Sequence, residues 1–182
     1  MIETKIFTEK KSFSSIAKIW FGVLLISIMA QISIPINPVP ITLHTVAIML
    51  IALYFSSLEA FFTMLSYILI GLVGIPVFTG FTSGFAKILG PSGGYFLGML
   101  VSVTFVSFIR EYYGFSPKST IHNVFLMVIL LIILYFFGIL RLSNFIGLEK
   151  AIYAGFIVFI PSGIAKTIIL SLIVSYINGK TS

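Results

Sequence analysis

Much of the chemistry open to this sequence rests on one ammonium group. Lys166 stands in the apolar run IPSGIAKTIILSLIV, which contains no acidic residue. It lies about one and a half helical turns beyond Pro161. A lysine inside a membrane span costs about 2.5–3.5 kcal/mol on insertion scales, so such a residue faces a cavity or a partner. The natural partner would be a carboxylate, yet the chain has no aspartate, and its five acids are Glu3, Glu9, Glu59, Glu111 and Glu149. Glu59 falls near the opposite membrane surface. Two readings stay open: an anionic ligand completes Lys166, or the ammonium snorkels to the outer interface.

Other chemistries are thinly supplied. With no cysteine, a disulfide scaffold, a thiolate metal site and a cysteine nucleophile are excluded. Paired carboxylates for acid/base or two-metal work are nearly absent. The two histidines, His44 and His122, are far apart, so a membrane enzyme has little to build on. The Walker pattern with its Lys-Ser/Thr pair is missing, and the chain is not expected to hydrolyse ATP by itself. Glycines 90, 93 and 94 are expected to serve backbone geometry, through positive φ, tight turns or close approach. Nucleic-acid binding needs a dense basic stripe, whereas the net charge of +6 comes from scattered Lys and Arg.

Composition sets the elements that must position Lys166. Hydrophobic residues make up 59% of the 182 residues and charged residues 9%, which a soluble domain of this size could not hide. A spanning helix needs about 20 mostly apolar residues. Six segments qualify, roughly 17–34, 42–55, 58–75, 94–112, 123–140 and 150–177, some of them short. The expected class is all-α, a polytopic membrane protein with six transmembrane helices. A tail over 1–16, one membrane domain over 17–177 and a second tail over 178–182 complete the organisation. The two-residue link Ser56-Ser57 predicts an antiparallel hairpin of the second and third helices.

Two connections do not read as solvated linkers. Pro35-Ile36-Asn37-Pro38-Val39-Pro40 cannot be helical, because each proline lacks an N–H and restrains its predecessor. Residues 74–93 are apolar and rich in glycine, and loops of such length in compact domains tend to be functional. Six helices put both termini on one side. That side carries Lys5, Lys10, Lys11, Lys18, Arg110, Lys118 and Lys180, against Lys87, Arg141 and Lys150 opposite. The positive-inside rule then makes both termini cytoplasmic and turns both loops outward, as a lid over a cavity.

Three stretches carry a resemblance. PINPVPITLHT, GLVGIPVFTGFTSGFAKILGPSGGYFLG and FIPSGIAK resemble, in order and spacing, the signatures of BioY, the biotin-capturing component of energy-coupling factor (ECF) transporters. The likeness spans about residues 17 to 177. His44 stands where that family usually has glutamine, and Ser162-Gly163 where it usually has Gly-Asp. The first helix has Gly22, Ser27 and Ala30 but no clean small-xxx-small repeat, the feature on which a partner docks in many members. The resemblance implies an ECF S-component-like fold in a bacterial plasma (inner) membrane, biotin as ligand, a partner ECF transmembrane subunit and an ATPase pair. Membrane lipid is the remaining partner; no nucleic acid and no cofactor are expected.

Biotin has a ureido ring, a thioether and a valerate carboxylate. Its site needs aromatic walls, a few hydrogen-bonding groups and a cation. Lys166 suits the carboxylate as a compact point charge. Lys87 is the alternative cation, with a solvated loop lysine as its simpler reading. Asn37, Thr42, Thr79 and Ser92 could meet the ureido group, and His44 is a further polar candidate. Phe78 and Tyr95 are candidate walls. Two other readings remain open: capture of another small vitamin-like carboxylate, and a membrane scaffold without a ligand.

Overall fold

The computed structural model describes residues 2–180, with side chains from Ser14 onward. Met1, Thr181 and Ser182, and the side chains of Lys5, Lys10 and Lys11 that enter the charge count, lie outside the described residues. The order is α1 (Ile2–Gln31), β1 (Ser33–Ile34), β2 (Ile41–Thr42), α2 (His44–Tyr54), α3 (Ser57–Leu72), α4 (Phe85–Leu89), α5 (Gly93–Tyr113), α6 (Thr120–Ile146), α7 (Leu148–Gly155), a 3₁₀ turn (Ile157–Phe159) and α8 (Ile160–Lys180). Helix α1 thus runs through the segment assigned to the first tail, and α8 through most of that assigned to the second.

Helix is what an apolar chain must form in lipid, because each backbone group is then satisfied within its own segment. Ser14–Gln31, Gly93–Tyr113, Thr120–Ile146 and Leu148–Lys180 are long and apolar enough to cross a bilayer. α2 and α3 are apolar but shorter, and with those four they account for the six apolar segments. The ends follow local chemistry. Ser56 and Glu59 form a capping box at the start of α3, the Ser119 hydroxyl accepts the His122 N–H at α6, and left-handed Gly114 (φ 64°) closes α5.

Two expectations change. The last hydrophobic run is not one helix: Phe156 (φ −134°, ψ −60°) breaks it between α7 and α8. The Gly155 carbonyl takes a hydrogen bond from the Tyr95 hydroxyl at 2.9 Å, and Pro161 sits in the first turn of α8, where a missing N–H costs nothing. Nor do α2 and α3 pack along each other; each lies mainly against α1 and α5. Seven of the eleven α2 residues are buried, as expected of a helix that is apolar all round and therefore central.

The proline connection is a small hairpin in which Ser33 pairs with Thr42 and Ile34 with Ile41. Side-chain contacts gather the helix ends into two faces. Ser15 and Lys18 of α1 meet Glu59 of α3. Arg110 of α5 donates to the Phe55 carbonyl, Thr120 of α6 bonds Ser175 of α8, and Asn178 of α8 reaches Tyr54 of α2. All of these lie at the face that holds the start of α1 and the end of α8. The hairpin and the 74–93 segment belong to the other face. Trp20, Leu24 and Ile28 stand 54–65% exposed at i, i+4 spacing on α1, an apolar stripe suited to lipid. Gly22 and Ala30 are buried inward instead, Gly22 against Thr63 of α3 and Phe55 just past the end of α2.

Candidate functional site

At the loop face, α2, α5, α6 and α8 enclose a cavity with about 600 Å³ of atom-free space, its mouth included. Lys166, His44 and Tyr95 line it, with Thr42 of β2, Lys87 of α4, and Thr79 and Ser92 of the glycine-rich connection. Seven of the nine residues singled out in the sequence therefore converge on one space. The other two stand apart. Asn37 is exposed in the hairpin connection and is not among the residues that line the cavity. Phe78 is fully buried beneath the cavity, its ring 4.7 Å from that of Phe96. It fills the place over Gly71, where a Cβ would collide with it.

Lys166 does not snorkel freely. Its ammonium donates to the Thr42 carbonyl at 2.7 Å and to the Thr45 hydroxyl at 3.0 Å. An ammonium has three donors, so one remains for the cavity. Among the described residues no carboxylate lies within ion-pair distance of it. Lys87 is half-buried on α4 and lines the cavity.

The His44 Nε2 lies 2.7 Å from the Tyr67 hydroxyl, which donates to the Val77 carbonyl at 3.2 Å. A phenol has one proton. With that proton on Val77, His44 carries its own on Nε2 and keeps Nδ1 as an acceptor.

Several lining residues escaped the sequence reading: Val39, Pro40, Phe96, Met99, Leu134 and Phe159. Tyr135 is the chemically important one. It is 6% exposed and lines the cavity. Its hydroxyl is 3.1 Å from where a Cβ on Gly163 would stand, so glycine at that position makes room for the phenol. Tyr95 plays a different part. With its hydroxyl engaged by Gly155 and its ring seated on Gly138, it is a fixed wall.

The glycines split by task. Gly74, Gly80 and Gly84 have positive φ. Gly90, Gly93 and Gly94 do not, and at Gly93 and Gly94 a Cβ would strike the backbone carbonyls of Ile88 and Phe137. Their part is close approach.

The family model described as BioY family matches residues 4–181. The chain belongs to the BioY family. A relative from Rickettsia prowazekii (strain Madrid E), named "Probable biotin transporter BioY", is 43% identical over 90% of this chain and 82% of its own length. "Biotin transporter BioY2" from Lactococcus lactis subsp. cremoris (strain MG1363) is 35% identical over 87% of this chain and 86% of its own. A crystal structure of the S-component for biotin from an ECF-type ABC transporter superposes with a TM-score of 0.83 at 26% identity, covering 93% of both chains. This BioY chain is therefore an all-α, multi-pass membrane protein of the S-component fold. Like the relatives it matches, which are named as transporters, the chain is a transport protein and not an enzyme.

Proposed function

We propose that this chain is the biotin-capturing component of an uptake system. The observation that carries the reading is the third hydrogen of Lys166, held by Thr42 and Thr45 in a cavity whose lining includes no carboxylate. A small anion completes that site, and a charge-assisted hydrogen bond is about twice as strong as a neutral one. The valerate carboxylate takes Lys166. The ring system lies among Tyr95, Phe96 and Phe159. The ureido group meets neutral partners: the Tyr135 hydroxyl as donor, and the His44 Nδ1 and the threonine hydroxyls as acceptors. Thr79, Ser92 and Lys87 close the mouth.

Charge supports the orientation. Lys18, Arg110, Lys118 and Lys180 mark the terminal face as cytoplasmic, and the cavity then opens outward from a bacterial inner membrane. The chain has no Walker motif, so energy enters through partners, an ECF transmembrane subunit with its ATPase pair. Titration of the purified protein with biotin in a calorimeter tests the reading. One-to-one binding at micromolar biotin or below is expected; no heat at that concentration overturns it.

Tyr135→Phe gives a sharper result. It removes one neutral hydrogen bond from a site that stays filled, so biotin binding is expected to weaken by about two- to tenfold, the range of 0.5–1.5 kcal/mol. The melting temperature should stay unchanged. Undiminished affinity would take Tyr135 out of the site.

A further inference from the structure

We infer that Gln31, the last residue of α1, is a positioning residue that holds the tip of the glycine-rich loop over the cavity. Its side-chain amide joins two parts of the chain. Nε2 lies 3.1 Å from the Ser27 carbonyl of its own helix and 3.3 Å from the carbonyls of both Val77 and Phe78. Oε1 accepts the Phe81 N–H at 2.9 Å. Thr79, which lines the cavity, stands between these attachment points.

The base and tip of this turn are held differently. At the base, the Phe78 ring is wholly buried, Phe78 and Thr82 exchange both backbone hydrogen bonds, and Tyr67 holds the Val77 carbonyl. At the tip, Phe81 has φ +54°, a left-handed conformation unfavourable for a residue with a Cβ. Its ring is 72% exposed, so no burial offsets that cost. Glycines 80 and 84 flank it with φ of 73° and 87°, and their backbone turns easily. Among the described residues, the hydrogen bond that ties this tip to another part of the chain runs to Gln31.

The same amide shares the Val77 carbonyl with Tyr67, and Tyr67 holds His44 at the cavity wall. The end of α1 is thus linked both to the loop over the mouth and to the wall below it. Breaking the Gln31 bonds leaves the base in the core and releases the tip. Thr79 is then uncovered, and a captured ligand leaves faster.

The inference rests on the biotin reading for its kinetic readout and is independent of it for the second. Full-length protein in lipid nanodiscs serves for both. The chain has no cysteine, so Thr79→Cys gives one thiol for maleimide labelling. In that background Gln31→Ala is expected to speed labelling by about five- to tenfold, the scale of one net hydrogen bond. Gln31→Glu keeps the acceptor for Phe81 and loses the donors, and an intermediate rate is expected. With Thr79 intact, labelled biotin should dissociate from the Gln31→Ala protein about five- to tenfold faster, with association changed less than about twofold. Labelling at the unaltered rate overturns the inference. So does a loss of affinity carried by association alone, or one matched by a fall in melting temperature, since a merely structural glutamine would give that. If the parent protein binds no biotin, the labelling result still decides the role of Gln31.

Discussion

Lys166→Ala is expected to weaken biotin binding by roughly ten- to 150-fold, which is about 1.5–3 kcal/mol for a hydrogen bond to a charged group. Two losses combine. The carboxylate loses its counter-charge in a half-enclosed site, where screening by salt is weak. The Thr42 carbonyl and Thr45 hydroxyl lose the donor that now holds them at 2.7 and 3.0 Å. Since Thr42 belongs to β2, its release also loosens the hairpin against α8. Biotinamide separates the two effects. It has no charge to offer Lys166, so the substitution should cost it several-fold less than it costs biotin, in the logic of a double-mutant cycle. Lys166→Arg does not rescue: a planar, longer fork does not replace a compact ammonium already placed between two acceptors. Calorimetric titration of both ligands against both proteins reads all of this. An alanine variant within twofold of the parent for biotin would remove the cation from the capture site.

The sequence shows why some of this site was legible before the fold was known. A charge in a hydrophobic run has few places to go, and three prolines in six residues cannot be helix, so Lys166 and the two loops stood out from elementary energetics. The aromatic walls did not stand out. The chain has 19 phenylalanines and 8 tyrosines, and nothing local separates Phe78, which ended in the core, from Phe96 or Phe159, which reached the cavity. That choice is made by Gly71, whose missing side chain gives Phe78 its place. Tyr135 was hidden in the same way: its role depends on Gly163, a position on another helix. The break before α8 was equally silent, because composition stays apolar across it. Its cause is in part the Tyr95 hydroxyl, 60 residues away in sequence. Asn37 was chosen for its type, which suits a ureido group, and the sequence does not show that Val39 and Pro40 of the same connection line the cavity while Asn37 does not.

Gly94→Val is expected to cost the protein its fold. Gly94 and Gly98 form a GxxxG spacing on the face of α5 that meets α6. Between membrane helices no hydrophobic force favours contact, so association depends on close packing. A Cβ at position 94 would overlap the Phe137 carbonyl and Arg141 Cβ, and one at 98 would lie 2.8 Å from the Leu134 carbonyl. The obstacles at both positions are mostly backbone, which cannot rotate aside, so α5 and α6 must separate. Overpacking typically costs about 1–3 kcal/mol and occasionally more. The site follows the interface because Tyr95 and Met99 are the next residues along. When the glycines face α6, these side chains face the cavity, and Tyr95 rests on Gly138 of the same α6. Gly94→Val should therefore yield little monodisperse protein in detergent, a sharply lowered melting temperature and no biotin binding. Gly98→Ala meets the Leu134 carbonyl at 2.8 Å, a smaller overlap than at position 94 but again with backbone, so it should lose stability and binding in the same direction and to a lesser degree. Leu97→Val alters a residue 56% exposed to lipid between the two glycines, and it should stay within about 0.5 kcal/mol of the parent. If Gly94→Val melts and binds biotin like the parent, the two helices are not held by close approach, and the cavity wall must be positioned by other contacts.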